Sequence, residues 1–295
     1  MERLKAPILY YGGKGNALKW LLPLIPEGGR PYVEPYFGAG SVFFARDPAP
    51  VEVINDLDGD VITLMRAFQD REQFEELRHR LMWTPYARAE FQRALEMRGD
   101  PSVSGVDRAW AVFVSQNMGT SGKGRTVGDW GRTLTASNYG IANTVNKWLK
   151  RLTMLDAWRW RLMMAQIDNR DALEVIRYWD SNETVFYLDP PYLADTRKSA
   201  NDFKFETTDR YHSELVETIL GCKGAIVMSC YDHEVYEPLR TAGWHKEQII
   251  TSAHSACRFR GSGLQGVGNV KTNVGRTETV WLNPRAAIAV GCVGN

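Results

Sequence analysis

The stretch that most constrains this chain is Leu188-Asp189-Pro190-Pro191-Tyr192. Just upstream, Thr184-Val185-Phe186-Tyr187-Leu188 is a short run of β-branched and aromatic residues, the composition of a buried parallel strand. Pro190 and Pro191 end that strand, because neither donates a ladder hydrogen bond and each ring fixes its own φ. A carboxylate, a rigid turn and an aromatic ring are thereby set at the carboxyl end of a central strand. In open α/β sheets that is the end where ligands bind.

Such a turn suits transfer to a weakly nucleophilic amine. A base amino group is conjugated with its ring and has little free lone pair. Asp189 and the Pro190 carbonyl are placed to accept both N–H hydrogens as the nitrogen becomes tetrahedral. The stiff backbone keeps that carbonyl from relaxing away, which is electrostatic preorganisation. Tyr192 offers a ring on which the base can stack. The plain alternative is a strand end with a Pro-Pro turn and a solvated aspartate, and the rest of the chain has to decide between the two.

At 295 residues the chain accommodates one large domain or a core with one sizeable insertion. Its formal net charge of +1 says nothing about nucleic acid; the distribution of charge does. Cys222, Cys230, Cys257 and Cys292 form no CxxC pair and no His spacing typical of zinc, so reduced thiols are expected rather than a metal site or a disulfide framework. Met1 to Leu9 lacks the apolar core of a signal peptide, and no apolar run approaches the roughly 20 residues that span a bilayer. The expectation is a cytoplasmic protein with no metal and no membrane partner.

Near the N-terminus stands Tyr10-Tyr11-Gly12-Gly13-Lys14, followed by a helix expected over about 16–24. A phosphate loop fails here, because Ile8 stands where its first glycine belongs and Gly15 follows the lysine. A small glycine turn with an aromatic and a cation still suits covering a small ligand. Glu34-Pro35-Tyr36-Phe37-Gly38-Ala39-Gly40-Ser41 then reads as a strand end, a tight turn and a helix start, the βα turn that holds nucleoside-type ligands. Phe43 replaces the third glycine of the dinucleotide fingerprint, which disfavours a pyrophosphate. Val51 to Ile54 is a second strand ending at Asn55-Asp56. An acid there, about 20 residues after the glycines, is where a ribose is held; the competing role is a helix cap, since 58–68 reads as helical.

Between Thr84 and Ala165 there are twelve Lys or Arg against six Asp or Glu, leaving the rest of the chain at about −5. The same window carries Trp110, Trp130, Trp148, Trp158 and Trp160, a glycine-rich loop with Lys123 and Arg125, and a second basic group at Lys147, Lys150 and Arg151. A basic, loop-bearing insertion in an otherwise acidic chain fits a polyanion; a helical lid with solvated charges is the alternative. The α/β pattern resumes with strands near 164–167, 184–188, 225–229, 245–250 and 277–282, with helices expected over 172–179, 209–220 and 234–241. The stretch 251–276 carries Arg258, Arg260, Lys271 and Arg276, five glycines and no acid, and so long a connection is functional or disordered.

With these residues in order, the chain resembles the D12 class of DNA adenine-N6 methyltransferases, the Dam-type enzymes of bacteria and phages. Each element alone is weak, and the series Tyr-Tyr-Gly-Gly-Lys, Glu-Pro-Tyr-Phe-Gly-Ala-Gly-Ser, Ile-Asn-Asp and Asp-Pro-Pro-Tyr is specific. The resemblance implies a Rossmann-like, mostly parallel sheet with one antiparallel strand, formed by 1–68 and 164–285. It further implies an inserted, mainly helical target-recognition region over 69–163, with 286–295 as a tail. S-adenosylmethionine is the implied cofactor, met by Tyr10, Lys14, Glu34, Phe37, Gly38, Gly40, Asp56, Asp171 and Asp189. Asp189, Pro190 and Tyr192 are the implied catalytic residues. Double-stranded DNA is the implied partner, with Lys123, Arg125, Lys147, Arg258 and Arg260 as candidate contacts, and the protein is expected to act as a monomer. An N4-cytosine methyltransferase, an enzyme acting on structured RNA and a DNA-binding relative without activity remain as alternatives.

Overall fold

The computed structural model describes residues 3–10, 12–28, 31–120, 128–193, 208–252 and 275–292. A 3-10 turn, Lys14–Asn16, leads to α1 (Leu18–Leu21) and a second 3-10 turn, Leu22–Leu24. The continuous helix expected over 16–24 is broken because Pro23 brings no N–H to a helical ladder. Next come β1 (Tyr32–Glu34), α2 (Ser41–Ala45), β2 (Glu52–Asn55) and α3 (Gly59–Gln69). The helices α4 (Arg71–Met82), α5 (Arg88–Gly99) and α6 (Gly105–Met118) precede a small hairpin of β3 (Ser137–Asn138) and β4 (Ile141–Ala142). After α7 (Asn143–Leu152) and α8 (Leu155–Leu162), the alternation resumes with β5 (Ala165–Asp168), α9 (Ala172–Trp179), β6 (Val185–Leu188) and α10 (Asp209–Leu220). The chain continues through β7 (Ala225–Cys230), α11 (Glu237–Thr241), β8 (His245–Ser252), β9 (Gly275–Leu282) and α12 (Pro284–Ala289).

Seven strands form one sheet in the order β5-β2-β1-β6-β7-β9-β8. All neighbours from β5 to β7 are parallel, and β9 runs antiparallel between β7 and β8. This is the Rossmann-like α/β sheet with one reversed strand expected from the sequence. Residues alternate between its faces as a strand requires. Val33, Phe186 and Leu188 pack with α9 and α10, whereas Tyr32, Val185 and Tyr187 pack with α1 and α12. The direction of crossover reverses between β1 and β6, which opens a crevice at their carboxyl ends.

The helical segment shares a core with the sheet rather than only lying over it. Phe43, Ile54 and Phe68 join Trp110, Phe113, Trp148 and Trp158 in one buried cluster. Burying a ring such as Phe113 contributes about 1.5–3 kcal/mol. The indole N–H groups are matched: Trp110 donates to Thr84 Oγ1 at 2.9 Å, Trp148 to Thr84 O at 3.1 Å and Trp158 to Lys5 O at 2.7 Å. These three tryptophans are core, whereas Trp160 of the same window is exposed.

Much of the basic excess is also turned inward. Arg98 and Arg108 both meet Asp60 of α3, at 2.9 and 2.7 Å, and Arg159 donates to the Phe68 and Gln69 carbonyls at 2.7 and 2.9 Å. Arg161 forks onto Glu52 and reaches Phe43 O at 3.0 Å, while Arg151 donates to Ala6 O. These arginines tie the helical segment to the sheet. The charge left for an external polyanion lies at exposed positions, including Arg132, Lys147 and Lys150.

Candidate active site

Four strand ends converge on one crevice. The β1–α2 turn is shaped by glycine: Gly40 has φ +69°, and a Cβ there would fall 2.2 Å from the Phe37 ring. Gly38 has φ +52°, and its Cβ would sit 3.1 Å from the Tyr10 ring. Both the left-handed backbone and the close approach therefore exclude a side chain. Asn55, fully buried at the end of β2, clasps three strand ends together. Its Nδ2 donates to Pro35 O at 2.9 Å and Arg170 O at 3.0 Å, while its Oδ1 accepts from Arg170 N at 2.9 Å.

The helix-cap role weighed for Asp56 falls to Asp58. Asp58 caps α3, accepting from Asp60 N at 3.1 Å, and also accepts from the Tyr10 hydroxyl at 3.2 Å. Asp56 instead accepts from Gly38 N at 2.6 Å and from Asp58 N at 2.8 Å, so its carboxylate is fixed against the glycine turn. Asp171 caps α9 through Leu173 N at 2.9 Å.

Asp189 is not a solvated strand end; the fold corrects that alternative. Lys14, 175 residues away in sequence, donates to its Oδ1 at 2.7 Å and its Oδ2 at 2.8 Å, and also to Gly12 O at 3.0 Å. The side chains of this pair are 4% and 19% exposed, the aspartate being the more open. Burial works against the charge on Lys14, yet Asp189 and the nearby Glu278 together hold the ammonium above the ordinary lysine range. Burial pushes the Asp189 carboxyl up, against the pull of Lys14. Lys14 also lies 4.9 Å from the centre of the Tyr192 ring, which packs against Tyr231 at 4.4 Å. Tyr192 is thus buried before any base arrives.

Tyr10, Lys14, Glu34, Phe37, Gly38, Asp56, Asp171, Asp189, Pro190 and Tyr192 all line a single cavity of about 590 Å³, a size that suits a small organic ligand. Gly40 is not among the lining residues; its missing Cβ makes room for the Phe37 ring, which is. Sequence reasoning missed Tyr36 and Tyr211, which line it too and join through their hydroxyls at 2.9 Å. No spacing rule pairs a turn residue with a helix that begins more than 170 residues later.

Glu34 has an unusual acidity for a carboxyl. It is buried, accepts from the Tyr32 hydroxyl at 2.6 Å, and burial pushes its pKa up to about 8, against that bond and Arg46. A carboxyl raised from 4.5 to about 8 gives stability that is full below about pH 4.5 and lost as pH rises through about 8. Wild-type melting temperature should therefore fall between pH 6 and 9, and Glu34→Gln, which cannot ionise, should flatten that fall. Parallel pH profiles of the two proteins would contradict it.

The candidate DNA contacts are placed only in part. Lys147 is exposed on α7. Lys123, Arg125, Arg258 and Arg260 lie outside the described residues. The stem around 121–127 is closed by Thr120 N donating to Asp129 O at 2.7 Å. Ser252 and Gly275 are register partners, so β8 ends and β9 begins on the cavity side. The β3–β4 hairpin turns through Tyr139 (φ 52°) and Gly140 (φ 74°), both left-handed, as a two-residue type I′ turn requires. Tyr139 is 89% exposed at its tip. Among the described residues no helix is long and apolar enough to cross a membrane. His245, Glu247 and Cys292 approach one another within 4.8 Å at the opposite end of the sheet, where His245 and Glu247 already share a 2.7 Å hydrogen bond.

Residues 10–96 match the family model of the D12 class N6 adenine-specific DNA methyltransferases. No curated protein matches the chain. Among solved structures it is similar to the rRNA methyltransferase aviRa from Streptomyces viridochromogenes at 1.5 Å, with 11% identity, TM-score 0.36, and 98% of this chain and 93% of that one covered. A second structure of that protein at 2.4 Å gives 11% identity and TM-score 0.33 over 97% and 89%. Likeness at that level has no bearing on substrate.

Proposed function

We propose, from the match of residues 10–96 to the D12 class of N6 adenine-specific DNA methyltransferases, that this chain methylates the N6 amino group of an adenine flipped out of a specific duplex sequence, with S-adenosylmethionine as donor. The observation that carries this reading is the cavity that joins the glycine turn and Asp56 to Asp189, Pro190 and Tyr192. A cofactor and a base amine can meet there.

The residues present fit the cofactor. A carboxylate has about four acceptor sites, so Asp56 can take ribose hydroxyls while holding the turn. The missing Cβ atoms at Gly38 and Gly40 let the Tyr10 and Phe37 rings, both in the cavity wall, close onto the turn. Tyr10, Glu34, Phe37 and Asp171 complete the wall. When bound, S-adenosylmethionine supplies an electrophilic methyl group on sulfur. Asp56→Ala should weaken its binding by roughly 1.5–3 kcal/mol, the loss expected for a charged hydrogen bond. Calorimetry without DNA reads this directly, and an unchanged dissociation constant in a folded variant would remove Asp56 from the site.

An adenine N6 lies inside the base stack of a duplex, so the base has to leave it to reach a cavity of this kind. Asp189 and the Pro190 carbonyl then accept the two N–H hydrogens, which frees the nitrogen lone pair. The amine bears a surplus proton after transfer, and the Asp189 carboxylate is the base within reach. Lys14 has to share or yield the aspartate oxygens at that moment, and Gly12 O is its remaining partner. The Tyr192 ring stacks on the base. Arg258 and Arg260 are assigned to phosphates, since β8 ends and β9 begins on the cavity side and the sequence between them is basic and free of acids. Lys123, Arg125, Lys147 and the exposed Tyr139 are assigned to the target, an aromatic tip being suited to wedging between bases. The working unit is proposed to be a monomer. Incubating the protein with labelled S-adenosylmethionine and duplex DNA from a source without adenine methylation tests the whole reading, which fails if no label reaches the DNA.

A further inference from the structure

α10 carries a histidine at 212 that the proposed chemistry does not use. Its ring is fully buried. Nε2 lies 3.1 Å from Pro191 O, and Nδ1 lies 2.8 Å from the Tyr236 hydroxyl. A carbonyl oxygen only accepts, so Nε2 carries the proton. Nδ1 of the neutral ring then accepts, and the Tyr236 hydroxyl donates. Burial raises the pKa of Tyr236 well above the ordinary range, so that hydroxyl keeps its proton.

The consequence lies in the torsions of the catalytic turn. The rings of Pro190 and Pro191 fix φ at both positions. Asp189 and Pro190 each precede a proline, which confines their ψ to the extended region. The first unconstrained torsion is ψ of Pro191, and the direction of the Pro191 carbonyl reports that angle. The His212 hydrogen bond therefore restrains the last backbone rotation between Asp189 and the Tyr192 nitrogen that the prolines leave free. α10 is itself anchored, because the neighbouring Tyr211 bonds to Tyr36 of the β1–α2 turn.

We propose that His212 is a positioning residue for methyl transfer, holding the Asp189-to-Tyr192 turn in its reactive geometry through the Pro191 carbonyl, with Tyr236 fixing its tautomer. This rests on the methyl-transfer reading above. His212 touches neither the base nor the cofactor; it acts through the turn.

The test compares His212→Leu, His212→Gln and His212→Asn in transfer of labelled methyl to duplex DNA lacking adenine methylation. The Gln amide can place a donor near the position of Nε2, whereas the shorter Asn cannot reach Pro191 O. His212→Leu and His212→Asn should lower kcat by roughly 10²-fold, the scale of a 1 Å misplacement of reacting groups. KM for DNA and the cofactor dissociation constant should stay within about twofold of wild type, because the binding surfaces are untouched. His212→Gln should recover most of kcat. If Leu proves insoluble, the Gln and Asn pair carries the comparison alone. Equal losses in Gln and Asn that follow their melting temperatures would reduce His212 to a packing residue and overturn the proposal, as would a His212→Leu protein with wild-type kcat. A wild-type protein that transfers no methyl at all overturns the functional reading instead, and is recognised by that control.

Discussion

Asp189→Asn is expected to lower methyl transfer by roughly 10²-fold or more, the usual cost of removing one preorganised polar group at a reacting centre. The asparagine keeps the shape and one acceptor but loses the charge that orients the amine and takes its proton. It also leaves the Lys14 ammonium, whose side chain is 4% exposed, without its hydrogen-bonded counter-charge. The variant should therefore melt below wild type, and activity has to be compared where both are folded. Asp189→Asn turnover within about threefold of wild type would remove Asp189 from the chemistry.

The largest effect on stability is expected at Arg161. Its guanidinium forks onto Glu52, a carboxylate with no exposed side-chain surface, and stacks over Phe43 at 3.6 Å. Arg46 completes the cluster from the other side, 3.0 Å from Glu52 and 3.7 Å from the Tyr32 ring. Removing one partner of a buried pair costs about 3–5 kcal/mol, because the other charge stays desolvated. Arg161→Met should then lower the melting temperature by roughly 10 °C, given about 2–4 °C per kcal/mol for chains of this order. Arg161→Lys keeps the charge without the fork and should fall between. A loss of only a degree or two with Arg161→Met would mean that α8 is held to the sheet by its apolar contacts.

The sheet was legible from local signals. The apolar runs ending at Asp56 and Asp189 became β2 and β6, and the two prolines stopped β6 where their missing donors required. Gly38 and Gly40 announced a tight βα turn, and both adopt left-handed backbone. The mostly parallel character of the sheet followed from the alternation of strands and helices. What could not be read were contacts between residues distant in sequence. Nothing local pairs Lys14 with Asp189, or His212 with Pro191; the crossovers of the sheet bring them together. The arginines of 84–165 misled for the same reason. Their number suggested a basic face, but Arg98, Arg108 and Arg161 find acids on α3 and β2. Tyr139 was hidden because its turn lacks the Asn-Gly pair that usually signals a two-residue hairpin.

The central claim is the identity of the methylated atom. Duplex DNA from a host without adenine methylation, treated with the protein and S-adenosylmethionine, is digested to nucleosides and resolved by mass spectrometry against standards. The account predicts N6-methyl-2′-deoxyadenosine, present with wild-type protein and reduced by roughly 10²-fold with Asp189→Asn. Recovery of N4-methyl-2′-deoxycytidine, or of no methylated deoxynucleoside from a folded protein, would contradict it.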